Sequence, residues 1–337
     1  MTRVAVIGAG YFGQFHYDAW KRIEGCELVA ACALQGVQEA GNRFDIPATY
    51  TDVDKMLRAA RPDLVDITTP PDTHLDLIRA VSQQASWIIC QKPFCGGREG
   101  ALQAVELAET QSVRLAVHEN FRFQPWYRCI KALLDQGAVG QVYQASFRLR
   151  PGDGQGPDAY LARQPYFQQM PRFLVHETGV HWIDTFRYLL GEITSINADL
   201  RQLNPAIAGE DAGMIQMAFS GGTRALFDGN RLADHAAENR RLTMGEMEID
   251  GSGGTLRLDG NGVIRLRAYG SNDWAEHRYD WHDHHFGGDC VYLTSKAILE
   301  SFQSGQPAET EARSYLRNIE LVEAAYQSHT ERRWVDV

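Results

Sequence analysis

The 337-residue chain has no CxxC pair, no HExxH motif, no surplus of positive charge, and no apolar run approaching the ~20 residues of a membrane-crossing helix. Each absence removes a class of function. The six cysteines, at 26, 32, 90, 95, 129 and 290, have neither metal-site spacing nor the density of a disulfide scaffold, so reduced thiols in a cytoplasmic protein are expected. A formal net charge of -10 gives no general attraction to phosphate backbones or anionic lipid, which sets nucleic acid and membrane aside as partners. His176 and His181 are five residues apart and point roughly 140° from each other on a helix, which argues against a zincin. The N-terminus opens directly into a strand pattern, so no signal peptide is expected.

What is present is ample core material, 44% hydrophobic residues with 10% aromatics, in a chain longer than one hydrophobic core usually serves. Up to about residue 122 short apolar runs alternate with amphipathic stretches: VAVIG (4 to 8), ELVAACA (27 to 33), PDLVDIT (62 to 68), SWIIC (86 to 90) and VRLAV (113 to 117). Continuously apolar strands separated by helices imply a doubly wound parallel sheet covered on both faces. From about residue 142 the texture changes to successive alternating strands with Gly-Gly and Asp-Gly turns, and residues 123 to 337 are expected to form an α+β domain with a large, mostly antiparallel open sheet. Helices are expected near 177 to 190, 288 to 304 and 311 to 328. An apolar sheet face left uncovered by so few helices would seek a second copy, so a homodimer or homotetramer built through residues 142 to 270 is expected.

VAVIGAGYFGQFH carries the sharpest local signal. Gly8, Gly10 and Gly13 follow a strand and open a helix: Gly8 permits the tight turn, Gly10 a close backbone approach to a pyrophosphate, and Gly13 close helix-to-strand packing. The carboxylate expected at the tip of the second strand is missing, since Ala33, Leu34 and Gln35 stand there; Gln35 could still reach a ribose hydroxyl. Two further stretches bear chemistry. WIICQKPF runs a buried strand straight into Lys92 and Pro93, and LVHETGVHWID sets Glu177, His181 and Asp184 at i, i+4 and i+7 of one helix, where acids and an imidazole could move protons. His74 begins a helix after a strand, where it could approach a cofactor or help cap that helix. His282, Asp283, His284 and His285 match no familiar metal spacing, and no metal is expected. Trp126, Tyr160, Tyr166 and Phe167 could offer stacking surfaces or pack onto their own domain.

Taken in order, GAGYFGQFH, TTP with His74, QKP at 91 to 93, HENFRFQP at 118 to 125 and ETGVHWID at 177 to 184 resemble the signature of the Gfo/Idh/MocA oxidoreductases along nearly the whole chain. The resemblance implies a Rossmann domain for NAD or NADP and a second domain holding a sugar, inositol or related polyol. It implies cofactor contacts from Gly8, Gly10, Tyr11, Phe12, Gly13, Gln35, Thr69, Pro70, His74, Gln91, Lys92 and Asn120, and substrate contacts from Lys92, Arg122, Glu177 and His181; Asn120 and Arg122, just after the sixth strand, could equally serve a structural role at the domain junction. Lys92 matches the lysine of the family's Glu-Lys-Pro motif, and His181 matches its proton-transfer histidine. Gln91 replaces that motif's Glu, and Glu177 stands where Asp is common.

The implied chemistry is hydride transfer at a hydroxyl or carbonyl carbon, with Lys92, His181 and Glu177 as the catalytic set. The departures at 33 to 35, 91 and 177 leave open a chain that binds nucleotide or sugar without turnover, as a sensor or subunit. The tip of the second strand offers neither a carboxylate against a 2′-phosphate nor a cation for one, so the lean is to NAD with modest discrimination. Dissociation constants for NAD and NADP measured by titration calorimetry should differ by less than about a thousandfold, roughly 4 kcal/mol. A wider gap would reveal a specificity residue elsewhere.

Overall fold

The computed structural model describes residues 1–337, which form two compact units. The first comprises Met1–Asn120 and Cys290–Ile319, the second Phe121–Asp289 and Glu320–Val337. The chain thus crosses between units close to the expected boundary, but residues 290–319 return to the first unit, where a continuous 123–337 domain was expected.

The first unit runs β1 (Thr2–Ile7), α1 (Gly13–Arg22), β2 (Cys26–Cys32), α2 (Val37–Arg43), β3 (Thr49–Tyr50), α3 (Val53–Ala60), β4 (Leu64–Ile67), α4 (His74–Val81), β5 (Trp87–Gln91), α5 (Arg98–Thr110) and β6 (Arg114–His118). The sheet order is β3-β2-β1-β4-β5-β6, all parallel. The order reverses direction between β1 and β4, so a crevice opens beyond their carboxyl ends, where such sheets bind ligands. β4 is buried at every position, yet its LVDI sequence includes Asp66, a carboxylate with no access to water. β3, only two residues long, is too short to carry a readable period.

The physical reason for the returning segment is apolar. In α8 (Cys290–Ser304), Ile298, Leu299 and Phe302 join Val4, Trp20 and Ile89 in one buried cluster. Burying each such side chain contributes about 1.5–3 kcal/mol, which the bland periodicity of a helix far along the chain could not assign to a partner. Arg114 of β6 donates to the carbonyls of Ser301 and Phe302 at 3.0 and 3.1 Å, placing a cation at the helix C-terminus, where the dipole favours it.

The second unit holds α6 (Pro125–Asp135), β7 (Val142–Leu149), α7 (Val180–Leu190), β8 (Ile193–Arg201), β9 (Ala212–Phe219), β10 (Arg224–Asn230), β11 (Gly245–Gly251), β12 (Gly254–Leu258), β13 (Ile264–Ala268) and β14 (Ala275–His277), closing with β15 (Val335–Asp336). The unit boundary falls within α9 (Ala312–Glu331). Nine strands align as β14-β13-β12-β11-β7-β10-β9-β8-β15, with only the β7–β10 pair parallel. The helices lie close to their expected positions, except that residues 174–179 form a π-helical turn ahead of α7.

α7 covers one face of this sheet: Trp182 stacks on Phe147 of β7 at 4.3 Å and on Phe227 of β10 at 5.6 Å. The opposite face is not the apolar surface expected. Across its central rows run Arg257, Glu248, Ser146, Leu226 and Gln216, and beside them Glu246, Arg148, Asp228 and Met214. Cross-strand polar pairs such as Gln144–Asp250, at 3.1 Å, satisfy these groups locally. The alternation that marked the strands also made this face polar.

Candidate functional site

The turn between β1 and α1 has the geometry its glycines require. Gly8 has φ +120°, and a Cβ there would lie 2.5 Å from Thr68 Oγ1 and 2.9 Å from the Thr68 carbonyl carbon, so no other residue fits. A Cβ on Gly13 would meet the Gly8 carbonyl oxygen at 3.1 Å, which is the close helix-to-strand packing expected. A Cβ on Gly10 would meet nothing within 4 Å. The space above that residue is therefore open, as a backbone cradle for a pyrophosphate needs. The Tyr17 hydroxyl donates to the Gly8 carbonyl at 2.7 Å and holds the turn from behind. No carboxylate stands in the first turn of α1 to compete with an anion.

Tyr11 and Phe12 follow on the same turn, with Tyr11 edge-on to Phe15 at 5.8 Å. Leu34 and Gln35, at the tip beyond β2, are exposed, and Gly36 turns the chain with φ +71°. After β4, Thr69 and Pro70 are fixed by Thr73, whose hydroxyl donates to Pro70 O at 2.7 Å and lies 2.7 Å from Thr69 Oγ1. His74 does not cap its helix. Fully buried, its Nε2 meets Thr69 O at 2.8 Å while Nδ1 accepts from the Cys95 amide at 3.4 Å. Burial holds its pKa down to about 4, so His74 is a neutral clasp between the Thr69 loop and the turn after Lys92.

β5 delivers Lys92 to the same carboxyl edge, half-buried, and the Lys92–Pro93 peptide is cis. The side chain of Gln91 folds inward beneath it. Its Oε1 accepts from the Lys92 backbone amide at 2.8 Å, and its Nε2 lies 2.9 Å from His16 Nε2. His16 Nδ1 in turn lies 2.7 Å from Asp66 Oδ2, which also accepts from the Trp20 indole at 2.7 Å. Burial by itself would raise the Asp66 carboxyl; the hydrogen-bonded His16 ring, and then the Trp20 donor, outweigh that and hold it below the usual range. Asn120 ends the edge, buried, donating to Cys290 Sγ at 3.3 Å.

In the second unit the π-turn presents Glu177 and Thr178 just before His181. π-turns inside helices are frequent at functional positions because they re-aim side chains. Glu177 Oε2 accepts from the Thr178 hydroxyl at 2.5 Å and lies 3.8 Å from Nη1 of Arg231. Arg231, 2% exposed, also donates to Thr178 Oγ1 at 2.5 Å, to the Tyr160 hydroxyl at 2.8 Å and to Asp153 Oδ2 at 2.9 Å. The buried guanidinium thus ties the acid to the loop at 152 to 170. His181 is 4% exposed, its ring stacked on Phe121 at 3.8 Å and 5°.

Arg122 and Asp184 form a bidentate pair at 2.7 and 2.5 Å, the carboxylate fully buried. The i+7 acid of the expected face is thereby engaged structurally, together with the arginine expected at the substrate. Trp126, Tyr160 and Phe167 are buried within their own unit, whereas Tyr166 is half-exposed. His282, His284 and His285 lie in an exposed loop.

Residues 2–119 match the family model for an NAD-binding Rossmann-fold oxidoreductase, and residues 127–257 match the Gfo/Idh/MocA C-terminal domain. The chain belongs to the Gfo/Idh/MocA oxidoreductase family. It is 32% identical to a D-apiose dehydrogenase of Paraburkholderia graminis, covering 99% of this chain and 89% of that protein. With an inositol 2-dehydrogenase of Rhizobium meliloti it shares 24% identity, covering 100% and 99%. A crystal structure of an oxidoreductase from Agrobacterium radiobacter in complex with NAD+, L-tartaric acid and magnesium superposes with TM-score 0.89 at 28% identity, covering 99% and 98%. No helix is long and apolar enough to cross a membrane.

His16, Asp66 and Arg231 were not among the residues expected from sequence. Asp66 alone had a signal, a charge inside an otherwise apolar strand. Asp153 generates a test of the second-unit network. Burial would raise its carboxyl, but Arg231 and then Arg163, by charge and hydrogen bond, hold it below the usual range. A depressed folded-state pKa gives stability that is complete above the unfolded value, near 3.9, and is lost as pH falls through the folded value. Asp153→Asn should therefore cost about 3 kcal/mol in urea unfolding at pH 7, the scale of breaking a buried pair. The gap from wild type should close as pH falls below about 4. A gap that is independent of pH would show that the carboxylate charge is not what holds the loop.

Proposed function

We propose that this oxidoreductase is an NAD-dependent dehydrogenase acting on a hydroxyl-bearing carbon of a sugar, inositol or related polyol, and on the carbonyl in reverse. The observation that carries the cofactor half is the open cradle over Gly10, bounded by Gly8, which admits no side chain, and by Gly13, where a Cβ would crowd the Gly8 carbonyl at 3.1 Å. The names of the two relatives, a D-apiose and an inositol dehydrogenase, support the substrate class. Departures from the family pattern do not favour an inert binder. Gln91 completes a hydrogen-bonded arrangement under Lys92, and the longer Glu177 meets Thr178 within hydrogen-bond distance.

When bound, NAD supplies the hydride acceptor, taking hydrogen with its electron pair from the substrate carbon. The residues handle the oxygen. His181 accepts the hydroxyl proton as the C=O bond forms, and its stacking on Phe121 fixes the ring plane for that transfer. The Lys92 ammonium stabilises negative charge developing on the same oxygen. Glu177, held by Thr178 and beside the Arg231 charge, orients the substrate or tunes the imidazole. Thr69, Pro70, Tyr11 and Phe12 would border NAD, and Gln35 would reach a ribose hydroxyl. Gln91, His74 and Asn120 act from beneath the surface, and Arg122 acts through Asp184.

Lys92→Met keeps the aliphatic stem; it should leave NAD affinity within a few-fold and cut turnover by about 10² to 10⁴. His181→Ala should do likewise. The double variant should lose far less than the product, because both serve one oxygen. Near-normal turnover by Lys92→Met on a confirmed substrate would remove the lysine from the chemistry. We also infer self-association through the nine-stranded sheet as a polar interface, using charged rows that a twofold axis can pair. Light scattering at micromolar concentration should give a dimer or tetramer; a monomer would contradict it.

A further inference from the structure

The inward fold of Gln91 has a directional consequence. A glutamine amide presents one acceptor and one donor end, and the orientation is set by whichever neighbour has a fixed role. Here that neighbour is the Lys92 backbone N–H, which can only donate and lies 2.8 Å from Oε1. The NH2 end must then face His16, 2.9 Å away, so His16 Nε2 can only accept. Its single proton is thereby placed on Nδ1, pointing at Asp66 Oδ2 2.7 Å away. The alternative, an imidazolium paired with Asp66, needs an acceptor at Nε2. Turning Gln91 to supply one would set its NH2 against the Lys92 amide, two donors face to face in a buried site.

We propose that Gln91 is a positioning residue for Lys92: its carbonyl fixes the lysine main chain, while its NH2 holds His16 as the neutral Nδ1–H tautomer. The residues under the lysine thus have one hydrogen-bond arrangement across the neutral pH range. A carboxylate at this position would accept at both ends and would draw a proton onto His16, making the same support titratable.

The surroundings allow this. His16, Asp66 and His118 are fully buried, and the His16 and His118 rings lie 4.3 Å apart. Burial holds the His118 pKa down to about 3, so no cation stands beside the ring. Of the other ionisable groups, Cys90 on β5 and Tyr17 on α1 lie within electrostatic reach of Asp66, Glu119 after β6 within reach of His118, and Cys32 on β2 within reach of Tyr17. Burial pushes both thiols and the phenol up, leaving them neutral. Glu119 is engaged by the Tyr315 hydroxyl at 3.0 Å. Asp66 Oδ1 has no hydrogen-bond partner, so both bonds of this carboxylate converge on Oδ2.

The kinetic consequence rests on the role assigned to Lys92, but the tautomer does not, and it can be read without turnover. Long-range 1H–15N spectra of the histidine rings in the NAD-bound protein, with His16 assigned by difference from His16→Gln, should show Nδ1 protonated and Nε2 bare from pH 6 to 9. A doubly protonated or Nε2-protonated His16 in the wild type would overturn the proposal whatever the activity. In Gln91→Glu, both His16 nitrogens should be protonated at neutral pH, and the kcat profile should gain an ionisation absent from the wild type. Unchanged His16 resonances in that variant would also overturn it. Gln91→Met, which removes both hydrogen bonds without adding charge, should lower kcat by ~10- to 100-fold, as loosening a placed group does, with KM for NAD within about twofold. A Met variant with wild-type kcat on a substrate that the Lys92 variants fail to turn over would refute positioning while leaving the lysine assignment intact.

Discussion

A single carboxylate without access to water governs the first unit. Asp66 sits in the middle of a strand whose every residue is buried, and a buried charge is tolerated only where hydrogen bonds replace its hydration. Two donors from α1, the His16 ring and the Trp20 indole, meet it on one oxygen. Because His16 is committed to Asp66 by one nitrogen, its other nitrogen is available to Gln91, and Gln91 passes the constraint to the lysine main chain. The helix that opens the dinucleotide turn and the strand that ends in Lys92 are tied to the same anion. Any ligand bound over Gly10 therefore rests on a helix whose position is referenced to the residue below Lys92.

The second unit solves a similar problem with the opposite sign. Arg231 is a buried cation, and Asp153, Tyr160 and Thr178 satisfy it from the loop at 152 to 170 and from the π-turn. Burial alone would lower its pKa, but Asp153, Tyr160 and Glu177 outweigh that, so it stays charged. Glu177 is consequently a carboxylate held by a network instead of a side chain swinging from a helix. A loop anchored this way has a defined shape close to the acid.

Much of this was legible in the sequence, and the boundary of legibility has a physical cause. The strands of the parallel sheet, the glycine turn, the placement of Lys92 at a strand end and the helix carrying His181 all follow from local pattern and period. The return of α8 to the first unit did not, because apolar periodicity states that a helix buries a face and not which sheet receives it. The open face of the nine-stranded sheet was misread for a related reason: alternation was visible, but its polar half was underestimated until cross-strand rows placed Arg257 beside Glu248 and Gln144 beside Asp250. The network under Lys92 was invisible because its members, at 16, 66 and 91, are far apart in sequence. Gln91 looked like a defect in a motif when read alone, and as part of Asp66–His16–Gln91 it is a complete hydrogen-bonding residue.

Hydride transfer from a hydroxyl-bearing carbon to NAD is the reaction proposed for this protein. The most direct measurement is the absorbance of reduced nicotinamide when the protein and NAD are mixed with a broad panel of sugars, inositols and sugar acids. Sustained reduction of NAD with at least one polyol is expected. NAD that binds but is never reduced across the panel would contradict it, and would make the chain a binder built on an oxidoreductase fold.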